Sequence, residues 1–384
     1  MASSAEAPLV LKLMETRVWR TYHGGRRLNT WHGRPAGEDS EYPEDWIASA
    51  VKTGREIAPE EEGFGREEGL SYVLTPQGTP LGSPQQTLYA LLKQQPEILL
   101  GKAHQGQYGS SMAVLIKLID AAERLSIQVH PDQTYAKEVL HSPFGKTEAW
   151  LILSDQGLHG KKPYIYLGFK PGITREVWKD LFDRQDIDGM LGAMHRVEVS
   201  KGDVFIVKGG VPHAIGAGCF LLEIQEPTDL TMRTERTTVS GSPIADRLCH
   251  QGVGFEKMLD CFHYEGLPLQ EVLQRWKLAP KVKKAGDNEV STLIDDFATT
   301  LFGMREVTVG NRWAGTREGG FSVGIVTQGK GILRWEGGEC LVQKGEYLFF
   351  AAALKKIEII CDTGQEAFKM IECFPPKIYQ GNTA

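Results

Sequence analysis

The sequence predicts a mainly β protein built as two jelly-roll β-barrels in tandem, with helical insertions in the first. Three observations lead there. From Thr300 onward, short apolar runs alternate with glycine-rich turns, most clearly at 321–328, 331–335, 347–351 and 356–361. Upstream, further strand-like runs stand at 112–118, 126–130, 146–153, 204–207 and 220–225. Third, one template occurs twice: a glycine, five residues, a three-residue turn, two residues and a polar side chain. The first copy runs from Gly202 through Lys208-Gly209-Gly210 to His213, and the second from Gly345 through Ala351-Ala352-Ala353 to Lys356.

The remaining elements follow in order. Residues 17–80 are rich in Gly, Pro and charge and read as short strands and loops, with 60–69 a solvated loop. Helical segments are expected within 86–124, where 86–95 has helix-like apolar spacing, and within 172–196, where Thr174 is an N-cap candidate. Helical character returns near 253–261 and 268–277, and the charged stretch 280–298 is read as the link between domains. The expected domains are therefore 1–250, a helical and linker region at 251–298, and 299–384.

A chain of 384 residues, 41% hydrophobic, can bury the cores of two domains. Net charge is −6 with both signs interspersed, so no nucleic-acid face is expected. The six cysteines form no C-x-x-C pair and lie in apolar surroundings, which suits free thiols in a reducing cytosol. Residues 1–19 carry Glu6, Lys12 and Glu15 and do not resemble a secretory signal, and the longest apolar run, 347–354, cannot cross a bilayer. A cytoplasmic protein without membrane partners is expected.

The chemistry gathers in three blocks. In Ser126-Ile127-Gln128-Val129-His130, strand alternation puts Ser126, Gln128 and His130 on one face. In Lys146-Thr147-Glu148, Lys146 and Glu148 share a face, and if the two strands are neighbours their polar groups line one wall. His213 follows a glycine turn. Two imidazoles, a carboxylate and an amide oxygen suffice for a divalent metal. Each has an ordinary alternative: a structural histidine, a strand amide, or a Glu148–Lys146 ion pair. Gly145-Lys146-Thr147 mimics the end of a phosphate-binding loop, but Leu140 stands where that motif requires glycine.

The repeat resembles the second signature of the cupin superfamily, with Lys208 in place of its proline and Ala217 in place of its asparagine. Residues 115–132, Gly145 to Trp150, and Gly209 to Gly216 with Leu222-Glu223 and Thr228 to Arg233 together closely resemble type I mannose-6-phosphate isomerases over roughly 17–240. That resemblance implies one zinc ion held by Gln128, His130, Glu148 and His213. It implies Arg233 in the active site, with Lys117, Lys146, Glu223 and Asp229 lining the pocket and Ser126 near a substrate phosphate. Thr147 departs from the proline of many members. The implied activity is mannose 6-phosphate–fructose 6-phosphate isomerisation through a cis-enediolate, and the implied partner is a small sugar phosphate. Lys146, Asp229, Glu223 and a metal-bound hydroxide all remain open as the proton-transfer base. A two-His-one-carboxylate iron oxygenase and a non-catalytic sugar-binding cupin are the rival readings.

Overall fold

The structure is a computed structural model that describes residues 8–53, 68–82, 85–317, 319–361 and 366–378. Its strands form four sheets, arranged as two sandwiches. In the first, a seven-stranded sheet runs Lys277–Leu278, Val204–Val207, Glu148–Ile152, Phe220–Gln225, Leu115–Asp120, Glu44–Ile47, Arg17–Val18. A five-stranded sheet, Met232–Arg233, Gln128–Val129, His213–Ile215, Tyr164–Phe169, Met194–Glu198, lies against it. The central strands of the large sheet are apolar runs buried on both faces, which is why they lack strict polar alternation.

The second sandwich repeats this plan. Its large sheet contains Gly303–Val309, Phe368–Phe374, Ser322–Gln328 and Tyr347–Phe350 as successive neighbours, and its small sheet is Arg312–Thr316, Lys356–Ile360, Lys330–Trp335, Gly338–Gln343. Strand for strand, the pairings match those of the first sandwich. The repeat seen in the sequence is therefore a repeat of topology: Val207 pairs with Glu148, and Phe350, 143 residues on, pairs with Ser322. The jelly-roll expectation is met by paired open sheets; ladder continuity breaks at two-residue strands such as Gln128–Val129.

The halves are interlocked. Val10–Leu13 and Val73–Leu74 extend the large sheet of the second sandwich beyond Tyr347–Phe350, so the chain's beginning crosses into the C-terminal half. At the seam the Tyr347 hydroxyl donates to Asp45 Oδ2 at 2.6 Å, and His32 Nε2 lies 3.0 Å from the same oxygen. The Ala352 amide donates to Leu99 O.

Several local expectations hold. Thr174 caps Arg175–Asp183 by accepting from the Val177 amide, and Phe255–Leu259 and Leu269–Trp276 are helical. Others change. Helix within 86–124 ends at Tyr108, and Leu115–Asp120 is strand. Within 172–196 the helices stop at Gly192 and Met194–Glu198 joins the small sheet. The expected link at 280–298 is a hairpin, Lys281–Ala285 with Asn288–Ile294, on the edge of the second large sheet. Its lysines are solvated on an edge strand, a pattern that deters edge pairing and disguises a strand as a linker. Most of the loop read at 60–69 lies outside the described residues. All six cysteines are free and buried, and among the described residues no helix is long and apolar enough to cross a membrane.

Candidate metal centre and adjoining cleft

The strands carrying Gln128 and Glu148 are not neighbours. They belong to opposite sheets and face each other across the sandwich. Alternation fixes which face a side chain takes and leaves the sheet undetermined, so the expected single wall becomes two opposed walls. On the small sheet, register sets Arg233, Gln128 and His213 side by side. On the large sheet, Trp46, Lys117, Glu223 and Trp150 form one cross-strand row, and Glu148 lies in the next row beside Gln225.

The turn that delivers His213 can only be glycine. A Cβ on Gly209 would meet the Asp132 backbone at 2.5 Å, and Gly210 has φ 84° with the His263 ring 2.4 Å from where its Cβ would stand. Gly210 also donates its amide to His130 O, which ties the two histidine segments together.

His130, Glu148 and His213 are buried, with one donor atom of each within 4.8 Å of the others. His213 Nδ1 donates to Val211 O at 2.9 Å, and His130 Nδ1 donates to Leu230 O at 2.9 Å. Both rings therefore present the lone pair of Nε2 inward, the tautomer a metal requires. Glu148 Oε2 lies 3.1 Å from His130 Nε2, and Oε1 lies 3.3 Å from His213 Nε2. The latter is a contact between two acceptors, and Glu148 Oε1 has no hydrogen-bond partner although fully buried. Such an arrangement calls for a cation between them. Gln128 completes the set, its amide 3.2 Å from His213 Nε2; half a turn of that amide presents the oxygen.

Electrostatics agree. Burial, reinforced by Lys146, lowers the His130 pKa to about 3, and burial also lowers that of His213, so both rings are neutral. Burial alone would raise the Glu148 pKa, yet the adjacent Lys146 ammonium holds it well below the ordinary carboxylate value. Lys146 Nζ lies 2.6 Å from His130 Nε2 and 3.0 Å from Glu148 Oε2. Burial lowers the pKa of this lysine.

From this cluster a cleft opens, lined by Gln128, Lys146, Glu223, Lys117, Ser126, Asp229 and Arg233. All ten residues singled out in the sequence thus stand at the cluster or along this cleft. Lys117 pairs with Glu223 at 3.0 Å, and Trp150 Nε1 donates to the other Glu223 oxygen at 3.0 Å. Burial raises the Glu223 pKa. Arg233 donates to Leu248 O at 2.8 Å. The sequence reading missed Arg20, Tyr22, Glu44 and Thr231, which line the same cleft. Glu44 accepts from Tyr22 Oη at 2.9 Å and from Trp46 Nε1 at 2.8 Å, and pairs with Arg20 at 2.9 Å. The available signal was the strand Glu44–Ile47, whose carboxylate shares a face with Trp46.

Fold and site together define a cupin-type double sandwich with a buried cluster able to hold a metal ion in its N-terminal half. More particularly, residues 78–155 match the family model described as type I phosphomannose isomerase, catalytic domain. The chain is 37% identical over 125 residues to the probable mannose-6-phosphate isomerase GmuF of Bacillus subtilis, an alignment covering 33% of this chain and 37% of that protein. The aligned region thus spans little more than a third of that relative's length. In fold, the chain superposes on the crystal structure of mannose 6-phosphate isomerase from Bacillus subtilis with a TM-score of 0.69 and 21% identity, over 95% of this chain and 99% of that one. A second structural neighbour is a mannose 6-phosphate isomerase bound with zinc and yttrium, with a TM-score of 0.65 and 15% identity, over 96% of this chain and 100% of that one.

Proposed function

We propose that this protein is a zinc-dependent aldose–ketose isomerase interconverting mannose 6-phosphate and fructose 6-phosphate. The observation that carries the reading is the junction of two features. One is a buried two-imidazole, one-carboxylate cluster whose Glu148 oxygen lacks a partner; the other is a cleft of mixed charge opening beside it. The names of the relatives and structural neighbours support it.

Charge balance points to a phosphorylated substrate. The cleft is lined by Arg20, Lys117, Lys146 and Arg233 against Glu44, Glu223 and Asp229, and Glu148 adds a fourth carboxylate. With Lys146 protonated, four cations and four anions cancel. A divalent ion makes the site doubly positive, and a phosphate dianion restores neutrality.

Gln128, His130, Glu148 and His213 would hold the ion, a donor set suited to zinc. Zinc held there would supply Lewis-acid polarisation of the sugar oxygens. The chain's own groups then account for the rest. Lys146, with its pKa lowered by burial, is the best-placed base for moving the proton between C1 and C2. Glu223 is less free, because Lys117 and Trp150 hold it, and Asp229 is the second candidate. Arg233, beside Gln128 in the sheet, offers a fixed donor to the enediolate. Ser126 and Lys117 contact the phosphate-bearing part, whose binding positions the reacting carbons.

The test is metal analysis of the purified protein combined with an isomerase assay. We expect zinc at about one ion per chain, as four protein donors hold one ion, with turnover of both sugar phosphates, loss on chelation and recovery with zinc. Iron with oxygen uptake would instead establish an oxygenase. Zinc without turnover would leave a sugar-binding module.

A further inference from the structure

Building on the sugar-phosphate reading, we propose that Arg20 binds the substrate phosphate, its guanidinium exchanging Asp229 for the phosphate oxygens when substrate enters. Arg20 lines the cleft, with a side chain 13% exposed, and its guanidinium stacks over the Trp46 ring at 4.9 Å. Its contacts are unequal. Nε pairs with Glu44 Oε2 at 2.9 Å and Nη1 donates to its neighbour Trp19 O at 2.9 Å, whereas Nη2 reaches Asp229 Oδ1 at only 3.3 Å.

The Glu44 contact is the anchored one. That carboxylate is buried and also held by the Tyr22 hydroxyl and the Trp46 indole. Asp229 lies in the loop between Phe220–Gln225 and Met232–Arg233, with a side chain 23% exposed. Among the other cations, Lys117 is paired with Glu223 and Lys146 with the ligand cluster, while Arg233, beside Gln128 in the small sheet, stands at the reacting end of the cleft. A phosphate monoester carries nearly twice the charge of a carboxylate and three acceptor oxygens, so it outcompetes the single 3.3 Å contact to Asp229 for the guanidinium. The exchange also frees Asp229 to face the sugar.

Position agrees with this role. Arg20 stacks on Trp46, whose strand is three strands away from that of Glu148 in the large sheet. Three strand spacings are roughly 14 Å. Arg20 therefore marks the end of the cleft remote from the ligand cluster, where the phosphate of an open-chain hexose would lie when C1 and C2 are at the other end.

The experiment compares wild type, Arg20→Gln and Arg20→Lys in steady-state kinetics with mannose 6-phosphate, and measures inorganic phosphate binding by calorimetry. Arg20→Gln should raise KM about tenfold or more and weaken phosphate binding similarly, the size of a lost charge-assisted hydrogen bond, while kcat changes little. Arg20→Lys keeps the charge without the fork and should fall between. A fall in kcat at unchanged KM and phosphate affinity would overturn the proposal, reducing Arg20 to a positioner of Asp229. Unchanged kinetics and phosphate binding would overturn it too. If Arg20→Gln does not fold, Arg20→Lys decides, since an unaltered KM in that variant is incompatible with bidentate phosphate recognition. Failure of wild type to turn over sugar phosphate would sink the isomerase reading; the calorimetric comparison would still judge Arg20 by itself.

Discussion

Across the large sheet of the first sandwich, one row of neighbours reads Trp46, Lys117, Glu223, Trp150; the corresponding row of the second reads Thr292, Arg305, Glu372, Gly324. The cation–carboxylate pair at the centre of both rows is kept: Lys117–Glu223 at 3.0 Å and Arg305–Glu372 at 2.5 Å. What surrounds it diverges. Ser322 stands at the register position of Glu148, and Lys356, at the position of His213, points to solvent. Gly324 stands where the first sandwich has Trp150, and Phe350 and Met370 fill the room it leaves. The second sandwich also balances Glu372 internally. Arg317 contacts that carboxylate, donates to Ser322 Oγ at 2.6 Å and lies 5.0 Å from the Phe350 ring, while Ser322 donates to Glu372 at 2.5 Å. A buried carboxylate must be matched by a cation in either case. In the first sandwich Glu148 Oε1 faces His213 without a hydrogen-bond partner; in the second both oxygens of Glu372 meet donors of the chain.

The largest effect should come from truncating matched positions. His213→Ala removes a proposed metal ligand and leaves Glu148 without its facing partner. Activity should fall by more than the ~100-fold that losing an outer-sphere partner costs, with zinc content falling alongside. Lys356→Ala, its counterpart, removes an exposed side chain and should leave kcat/KM and metal content at wild-type values. Comparable losses in the two variants would contradict the asymmetry.

A stability measurement addresses the other half. Arg317→Met removes one of two guanidinium groups from a fully buried Glu372 and strips Ser322 of a donor. The cost should be about 3 kcal/mol, the lower end for breaking a buried ion pair because Arg305 remains. Urea unfolding would show it as a shifted midpoint at unchanged slope, and a shift within error would show that Arg317 is dispensable. Metal content should not change, because the variant lies in the sandwich without the ligand cluster.

How much of this was legible in the chain depends on range. Runs such as Val204–Val207 and Phe220–Gln225 announced themselves because strands buried on both faces are uninterrupted apolar segments. Gln128, His130 and Glu148 stood out because strand alternation fixes their faces and His213 because it follows a glycine turn, while their grouping as one ligand set rested on the family resemblance. Arg20 and Glu44 were not, since they reach the cleft only through the pairing of Glu44–Ile47 with Leu115–Asp120, a register no local pattern encodes. The opposition of Gln128 and Glu148 across two sheets was hidden for the same reason. The lysine-rich strand Lys281–Ala285 failed differently: an exposed edge strand buries nothing, so hydrophobic periodicity has nothing to report.

The smallest effect concerns the seam where the two sandwiches meet. Tyr347 belongs to the second, and its hydroxyl donates at 2.6 Å to Asp45, which is fully buried in the first. Asp45 keeps two other partners, the Thr16 amide at 2.7 Å and His32 at 3.0 Å. Tyr347→Phe therefore removes one of three contacts to a carboxylate while leaving the ring in place. A hydrogen bond to a charged group contributes about 1.5–3 kcal/mol, and the remaining partners put this one near the bottom of that range. Urea unfolding should show a loss of about 1.5 kcal/mol in a single cooperative transition, with kcat/KM unchanged because Tyr347 does not line the cleft. A split into two transitions would mean that this contact, rather than the strand Val10–Leu13 added to the second large sheet, couples the halves. Retained cooperativity assigns the coupling to the shared sheet, in which Val10–Leu13 pairs with Tyr347–Phe350.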